Sequence, residues 1–324
     1  MLSISQYREA FLDHLSTTIK TKEPINLYEP ITYILQLGGK RLRPVLVLMS
    51  AEIFDASYEK ALDAALAIEV FHNFSLVHDD IMDAAPLRRG KETVHERWDL
   101  NTGILSGDAM LINAYQLFEN YEGATFKELA QLFTKTAIQV CEGQQYDVDF
   151  ESREDVEVAD YLKMIEYKTA VLVGASLQMG AIVAGASEEC KKAVYEYGRL
   201  LGIAFQLQDD YLDAFGDPKT FGKQVGGDII ENKKTFLYLM ALKNAGPAEA
   251  SQLEHLYSIN PSETGGKIEA VKHIFEESGA SQLAREEIRK YTKEAFAVLD
   301  KIDLSVSKKD LLREFGASLM EREV

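Results

Sequence analysis

Cysteine, proline and tryptophan are all scarce in this chain, and basic side chains are outnumbered by acidic ones. Only Cys141 and Cys190 are present. They lack the paired spacing of a metal site and cannot staple a disulfide scaffold, so they read as buried or idle thiols in a reducing, cytoplasmic setting. Seven prolines in 324 residues leave no Pro/Ser-rich linker, and no composition shift marks a boundary. Residues 1–324 are therefore read as a single domain. The 35 basic residues against 52 acidic give a net charge of −17, which argues against nucleic acid and anionic membranes as partners. On such a background any basic cluster stands out as a local site. The opening MLSISQYREAFLDHL is charged throughout and lacks the apolar core of a signal peptide. Residues 169–187 are uncharged and long enough to be weighed as a membrane span. Gly174, Gly180, Gly185, several alanines and Gln178 make that stretch a core helix on which neighbours pack closely. No integral membrane segment is expected.

Helical periodicity is what the chain has in abundance. Apolar residues recur at three- and four-residue spacing nearly everywhere and strand-like alternation is rare. Ser57 is placed to cap a helix running from Tyr58 toward Met82. Ser187, followed by Glu188 and Glu189, is placed to start another that stops at Gly216. Two longer irregular stretches are expected, at 84–103 and at 216–228. The first is basic at Arg88, Arg89 and Lys91; the second has four glycines and carries Lys219 and Lys223. Long loops in a compact helical chain are usually functional, and each of these follows an aspartate cluster.

The first cluster is Asp79, Asp80 and Asp83. Residues four apart share a helix face, so three carboxylates fall within about 6 Å along the axis and repel one another unless cations lie between them. Oxygen-only donors of this kind suit a hard divalent ion such as Mg²⁺ that takes its remaining ligands from water and phosphate. A solvated acidic helix end is the plain alternative. The second cluster, Asp209, Asp210 and Asp213, repeats the Asp-Asp-x-x-Asp spacing 130 residues further on inside a hydrophobic segment, which makes surface acidity a poor explanation. A basic turn, GGKRLRP, places Lys40 and Arg43 near a helix N-terminus, where anions are favoured. Arg88 and Arg89 follow the first cluster and could be salt-bridge partners or diphosphate ligands. Lys168 with Thr169, Lys223, and Lys233-Lys234-Thr235 are weaker signals of the same chemistry. Together they ask for two anion sites, one bridged by metal and one purely basic.

This combination resembles the trans-isoprenyl diphosphate synthase family. The resemblance rests on GGKRLRP, LVHDDIMD with LRRG, the Lys168-Thr169 pair, QLQDDYLD, the glycine loop ending in GGDI, and NKKT, between about residues 30 and 240. It implies an all-α fold, a single large helical bundle around a deep central cavity, acting as a homodimer. It implies that isopentenyl diphosphate is condensed with an allylic diphosphate (dimethylallyl, geranyl or farnesyl) with three Mg²⁺ ions present. Asp79 and Asp83 would bind two of them and Asp209 the third, with Asp80, Asp210 and Asp213 assisting. Arg88, Lys168, Lys223 and Lys233 would hold the allylic diphosphate, and Lys40, Arg43, His72 and Arg89 isopentenyl diphosphate. Thr169 and Gln206 would face the developing allylic cation.

Product length is read from the Asp79 helix. Phe74 lies five residues before Asp79 with Phe71 nearly one turn deeper, and an aromatic at the Phe74 position resembles a floor that stops chain growth. Ser75 is small where some farnesyl synthases carry a second aromatic, so a geranylgeranyl product is expected, with farnesyl next. The glycine-rich 216–228 loop is the candidate lid. The acidic end at Met320 to Val324 gives Arg322 no substrate role. A terpene cyclase would not need the second basic site, a non-catalytic regulatory subunit would not need two complete aspartate clusters, and a plain metal-binding helical protein would show no turnover.

Overall fold

The structure is a computed structural model that describes residues 1–217, 225–261 and 263–320. The predicted Lys219, Lys223 and Arg322, and most of the predicted lid, lie outside the described residues. Among the described residues the chain is helical nearly throughout; the only strands are Leu87–Arg88 and Lys91–Glu92, paired antiparallel. None of the described helices is long and apolar enough to cross a membrane. The residues gather into two compact units, Met1–Thr136 with Ala175–Tyr195, and Ala137–Gly174 with Glu196–Val324.

The first unit is built on the Leu62–Met82 helix, whose residues from Ala64 to Phe71 are all buried, and which packs against the Leu42–Ile53 and Leu100–Gln116 helices. Small residues set these approaches. A Cβ on Gly107 would sit 2.2 Å from His78 Nε2, and one on Gly180 would sit 2.3 Å from the Val47 carbonyl oxygen. The run weighed as a membrane span is thus a core segment, the Val171–Val183 helix, with Ala175, Leu177, Met179 and Ala181 buried. The second unit centres on Tyr161, Leu207, Tyr211, Leu237, Phe275 and Ala284, drawn from several helices.

Helix starts follow the local chemistry where a cap is present. Ser187 Oγ accepts from the Cys190 N–H at 3.2 Å and the Glu188–Phe215 helix begins there, ending before Gly216 as expected. Ser57 does not cap the aspartate helix directly, because a short 3₁₀ turn, Tyr58–Ala61, intervenes before Leu62. The 84–103 stretch is more ordered than its composition suggests. It holds the small hairpin, a turn of helix at Val94–Arg97, and the start of the Leu100–Gln116 helix, where Asp99 accepts from the Thr102 N–H at 2.9 Å. Cys141 is exposed rather than buried, and neither cysteine is in a disulfide.

Candidate active site

In the first unit the basic turn and the first aspartate cluster belong to adjoining elements. Gly38, Gly39 and Arg41 all have positive φ, at 84°, 117° and 53°, so the chain reverses sharply between the Ile25–Gln36 and Leu42–Ile53 helices. A Cβ on Gly39 would stand 2.9 Å from the Arg89 guanidinium carbon, so this position needs glycine for space as well as for backbone angle. The turn sorts its cations. Lys40 is exposed, Arg43 is half-buried, and Arg41 points inward, where it donates to the Glu69 carboxylate and the Leu35 carbonyl.

Arg43 Nη1 donates to His72 Nε2 at 3.3 Å. A guanidinium can only donate, so the His72 proton sits on Nδ1 and the ring is neutral. Removal from water holds His72 well below the usual imidazole range, and the positive charges of Arg43, Arg89, Arg88 and Arg41 push it further the same way. Arg89, itself at φ 53°, donates to the Gly38 carbonyl. Arg41 and Arg88 are paired with Glu69 and Asp80, which leaves Arg43 and Arg89 beside a neutral histidine as the cations placed to meet an anion.

Asp80 is buried and held by Arg88, whose Nε reaches both carboxylate oxygens at 2.9 and 2.8 Å and whose Nη2 reaches one at 2.6 Å. Asp79 is half-buried near the end of the helix and Asp83 is its exposed C-cap. The side chain of Phe74 is buried, with its ring 5.5 Å from Phe71 and 4.8 Å from His78. Phe71 in turn meets Phe133 at 5.1 Å. The small Ser75 donates to the His72 carbonyl at 2.9 Å.

In the second unit a cavity of about 120 Å³ is lined by Asp147, Tyr161, Lys168, Thr169, Gln206, Asp210, Asp228 and Lys233, among others. Lys168 and Thr169 lie on a π-helical turn, Glu166–Ala170, a form that concentrates at functional sites. Two glycines grip this turn. A Cβ on Gly143 would fall 2.2 Å from the Lys168 nitrogen, and one on Gly202 would fall 2.7 Å from the Ala170 Cα. Lys168 Nζ donates to Asp147 at 2.5 Å. Thr169 Oγ1 donates to Gln206 Oε1 at 3.1 Å, and Gln206 Nε2 donates to Asp210 at 2.8 Å. Tyr161 OH donates to the other Asp210 oxygen at 2.6 Å.

Burial raises the Asp210 carboxyl to about 6, against the pull of the Tyr161 and Gln206 hydrogen bonds and with help from Asp209 and Asp213. Asp228 is pushed well above the usual carboxylate range by burial and by the charges of Asp210 and Asp213. Its backbone N–H donates to Asp213 Oδ2 at 2.9 Å. Lys233 pairs with Glu231 at 2.8 Å; burial opposes its charge, but Glu231, Asp228 and Asp147 outweigh it and keep the ammonium ionised.

Of the predicted site residues, the structure brings Lys168, Thr169, Gln206, Asp210 and Lys233 to one cavity. It gathers Arg43, His72, Arg88 and Arg89 around another locus. Sequence reasoning passed over Asp147, Tyr161 and Asp228. Only Asp228 left a signal, as the acid closing the glycine-rich loop. It also gave no separate place to Lys234, whose Nζ caps the end of the Gly123–Ser152 helix through the Phe150 carbonyl at 2.9 Å and the Arg153 carbonyl.

The donor chemistry fits a hard divalent cation. The groups are carboxylate oxygens, and a cation would offset both the burial that chiefly raises Asp210 and Asp228 and the smaller repulsion from their neighbouring carboxylates. Among the described residues no three His, Cys, Asp or Glu side chains close around one point. An ion held here would have to complete its coordination from water or a bound ligand.

The profile of the polyprenyl synthetase family matches residues 24–276. This chain belongs to the polyprenyl synthetase family. The geranylgeranyl pyrophosphate synthase of Geoglobus acetivorans is 39% identical over 314 residues, covering 96% of this family member and 95% of its own length. A crystal structure of a geranylgeranyl pyrophosphate synthase is 52% identical, covers both chains completely and superposes with a TM-score of 0.96. The geranylgeranyl pyrophosphate synthase of Corynebacterium glutamicum, solved with isoprenyl diphosphate and magnesium, is 27% identical with a TM-score of 0.86. It covers 99% of the present chain and 98% of its own.

Proposed function

We propose that this polyprenyl synthetase is a Mg²⁺-dependent prenyltransferase. It condenses isopentenyl diphosphate head-to-tail with dimethylallyl, geranyl or farnesyl diphosphate and releases a short-chain all-trans prenyl diphosphate. Geranylgeranyl diphosphate is the expected product and farnesyl diphosphate the next. Residues 1–324 act as one catalytic domain. The observation that carries this reading is the neutral His72 beside Arg43, close to Arg89 on the Gly38 turn, which supports a second, metal-free anion site that a cyclase acting on one diphosphate has no use for.

The roles are those the family pattern implies, and the contact of Arg43 with His72 and the gathering of Lys168, Thr169 and Gln206 at one cavity support them. Lys40, Arg43, Arg89 and neutral His72 bind the isopentenyl diphosphate group. Arg88, Lys168 and Lys233 bind the allylic diphosphate, together with Lys223 from outside the described residues. Asp79, Asp83 and Asp209 are assigned as metal ligands, with Asp80, Asp210 and Asp213 assisting; Asp80 also fixes the direction of Arg88. Magnesium, three ions with substrate in place, supplies neutralisation of the departing diphosphate. Thr169 spends its proton on Gln206, which leaves its oxygen lone pairs for the allylic cation. The isopentenyl double bond attacks that cation, and the released diphosphate takes the proton that is lost.

Two further readings belong to the same proposal. A homodimer is supported by Ile104, Leu105 and Ile112, large apolar side chains left 39%, 59% and 59% exposed on the Leu100–Gln116 helix. A cytoplasmic location is supported by two thiols kept out of any disulfide.

The test is an incubation of purified protein with Mg²⁺, labelled isopentenyl diphosphate and each of the three allylic primers in turn. Geranylgeranyl diphosphate is expected, and a chelator is expected to abolish its formation. Absence of condensation with every primer would overturn the reading. Hydrocarbon release from geranylgeranyl diphosphate alone would replace it with a cyclase.

A further inference from the structure

Lys267 is 4% exposed, and lysines are almost never buried to that degree unless they are paired with an acid. Among the described residues this one has no carboxylate partner. Its Nζ donates to Asn232 Oδ1 at 2.5 Å and to the Ile259 carbonyl at 3.0 Å, and it lies 5.8 Å from the centre of the Tyr257 ring. All three partners are neutral.

What the ammonium grips is the turn between Gly226 and Lys233, which brings Asp228, Asn232 and Lys233 to the carboxylate-lined cavity. The one helical element of that turn, Gly227–Ile230, is four residues long, too short to keep its shape by its own hydrogen bonds. Asn232 follows it at φ 58°, the left-handed position at which a helix ends, and Lys233 comes next. The turn is therefore fixed from outside. At its front the Asp213 carbonyl accepts from the Gly226 N–H at 2.6 Å, and Asp213 Oδ2 accepts from the Asp228 N–H. At its back it rests on the start of the Gly265–Glu277 helix. Ile268 lies against Gly226, where a Cβ would stand 2.9 Å from the isoleucine side chain. Lys267, the neighbour of Ile268, holds the Asn232 amide oxygen, while Asn232 Nδ2 donates to Asn260 Oδ1 at 2.8 Å. An ammonium can only donate, so it selects Oδ1 and leaves Nδ2 for Asn260. Both ends of the amide are engaged, and a charged donor makes the first bond roughly twice as strong as a neutral one.

We propose that Lys267 is a positioning residue for the allylic diphosphate. It is not in the cavity lining; acting through Asn232, it holds the turn at the angle that presents Lys233 to the cavity. The proposal rests on the function given above and deepens it. It also accounts for the missing counter-ion. A neutral amide in place of a carboxylate keeps a further negative charge away from a cavity that has to accept a diphosphate.

Two substitutions cut the link from either side. Lys267→Met keeps the stem and removes the ammonium. Asn232→Gly removes the amide and leaves a residue that adopts φ near 58° without strain. Amide hydrogen exchange reports on the turn directly. The Lys233 and Thr235 N–H groups donate to the Asp228 and Lys233 carbonyls at 2.9 Å each. Their protection is expected to fall at least about tenfold in both variants, with that of the Leu42–Ile53 helix unchanged. The Kd for geranyl thiodiphosphate, an allylic analogue slow to ionise, is expected to rise at least about tenfold with Mg²⁺ present, and KM for geranyl diphosphate with it. KM for isopentenyl diphosphate is expected to stay within about twofold. In the double variant Lys267→Met should add less than about twofold to Asn232→Gly, because a residue that acts through another has nothing left to act on. Independent losses in the double variant would overturn the proposal. So would equal rises in KM for the two substrates, the mark of general loosening, or unchanged exchange at Lys233 and Thr235 in Lys267→Met. If Lys267→Met does not fold, Lys267→Gln, too short to reach either acceptor, is scored by the same readouts. Exchange and analogue binding are measured without turnover, so failure of this positioning role and failure of the condensation reading are told apart.

Discussion

Arg41 and Lys40 are neighbours in one basic turn, yet they answer to different physics. Arg41 is 4% exposed, and its partner Glu69 is 3% exposed and also accepts from Asn73 Nδ2 at 3.1 Å. Removing one member of such a pair leaves the other as an uncompensated buried charge, which costs roughly 3–5 kcal/mol. Arg41→Ala is therefore expected to lower the denaturant midpoint strongly. Lys40→Ala, at an exposed position, is expected to leave the midpoint within about 0.5 kcal/mol of wild type while raising KM for isopentenyl diphosphate. Equal effects of the two on stability would contradict this division. Phe74 is the other residue whose effect is local. Its buried ring joins a cluster in which it meets Phe71, and Phe71 meets Phe133 edge-to-face, and Phe74→Ala removes the proposed floor. Product sizing should show longer chains than wild type; an unchanged product would place the floor elsewhere. The accompanying cavity is expected to destabilise the fold by about 3–5 kcal/mol, so the assay belongs well below the melting temperature.

At the scale of elements, the π-turn at Glu166–Ala170 aims Lys168 and Thr169, and it is held by close backbone approach rather than by side chains. Gly143→Ala would drive a methyl group to within 2.2 Å of the Lys168 nitrogen and 2.7 Å of the Tyr167 carbonyl carbon. Main chain cannot swing aside as a flexible side chain can. Overpacking of this kind costs about 1–3 kcal/mol, and a displacement near 1 Å at reacting groups costs about a hundredfold in rate. The variant should fold, lose kcat by about that factor and, because Lys168 rides on the same turn, also raise KM for the allylic diphosphate. A fall in KM affinity without a fall in kcat would remove the turn from the positioning of Thr169. This element also marks the limit of sequence reading. Helix starts with local caps, such as Ser187 before Glu188, were legible because cap and helix are three residues apart. The aspartate clusters were legible for the same reason, their spacing being a property of one helix. The π-turn was not, because the glycines that hold it are remote in sequence. Nor was the inward turn of Arg41, whose partner is 28 residues away, or that of Lys234, which caps a helix end 84 residues before it. The composition of 84–103 suggested a loop, but pairing of Leu87 with Glu92 and Arg88 with Lys91 shapes it into a hairpin.

For the whole molecule, charge and apolar exposure pull in different directions. A chain at net −17 repels copies of itself in dilute solution, so a homodimer needs a contact where apolar area outweighs that repulsion. The Leu100–Gln116 helix offers one: Leu105 and Ile112 are two turns apart on it and both are 59% exposed, with Ile104 beside them. Both side chains are mostly exposed, so replacement does not open the core directly. Leu105→Glu with Ile112→Glu places two charges where a neighbouring chain would have to bury them, each needing a counter-charge that an apolar face lacks. Light scattering after gel filtration should then report half the wild-type mass, with the helical circular dichroism signal unchanged. Raised salt should not restore the dimer, because desolvation of the glutamates, which salt does not relieve, opposes it as much as screened repulsion does. A double variant that keeps the wild-type mass would move the interface off this helix, and a wild-type protein already at monomer mass would remove the dimer itself while leaving the condensation assay to stand alone.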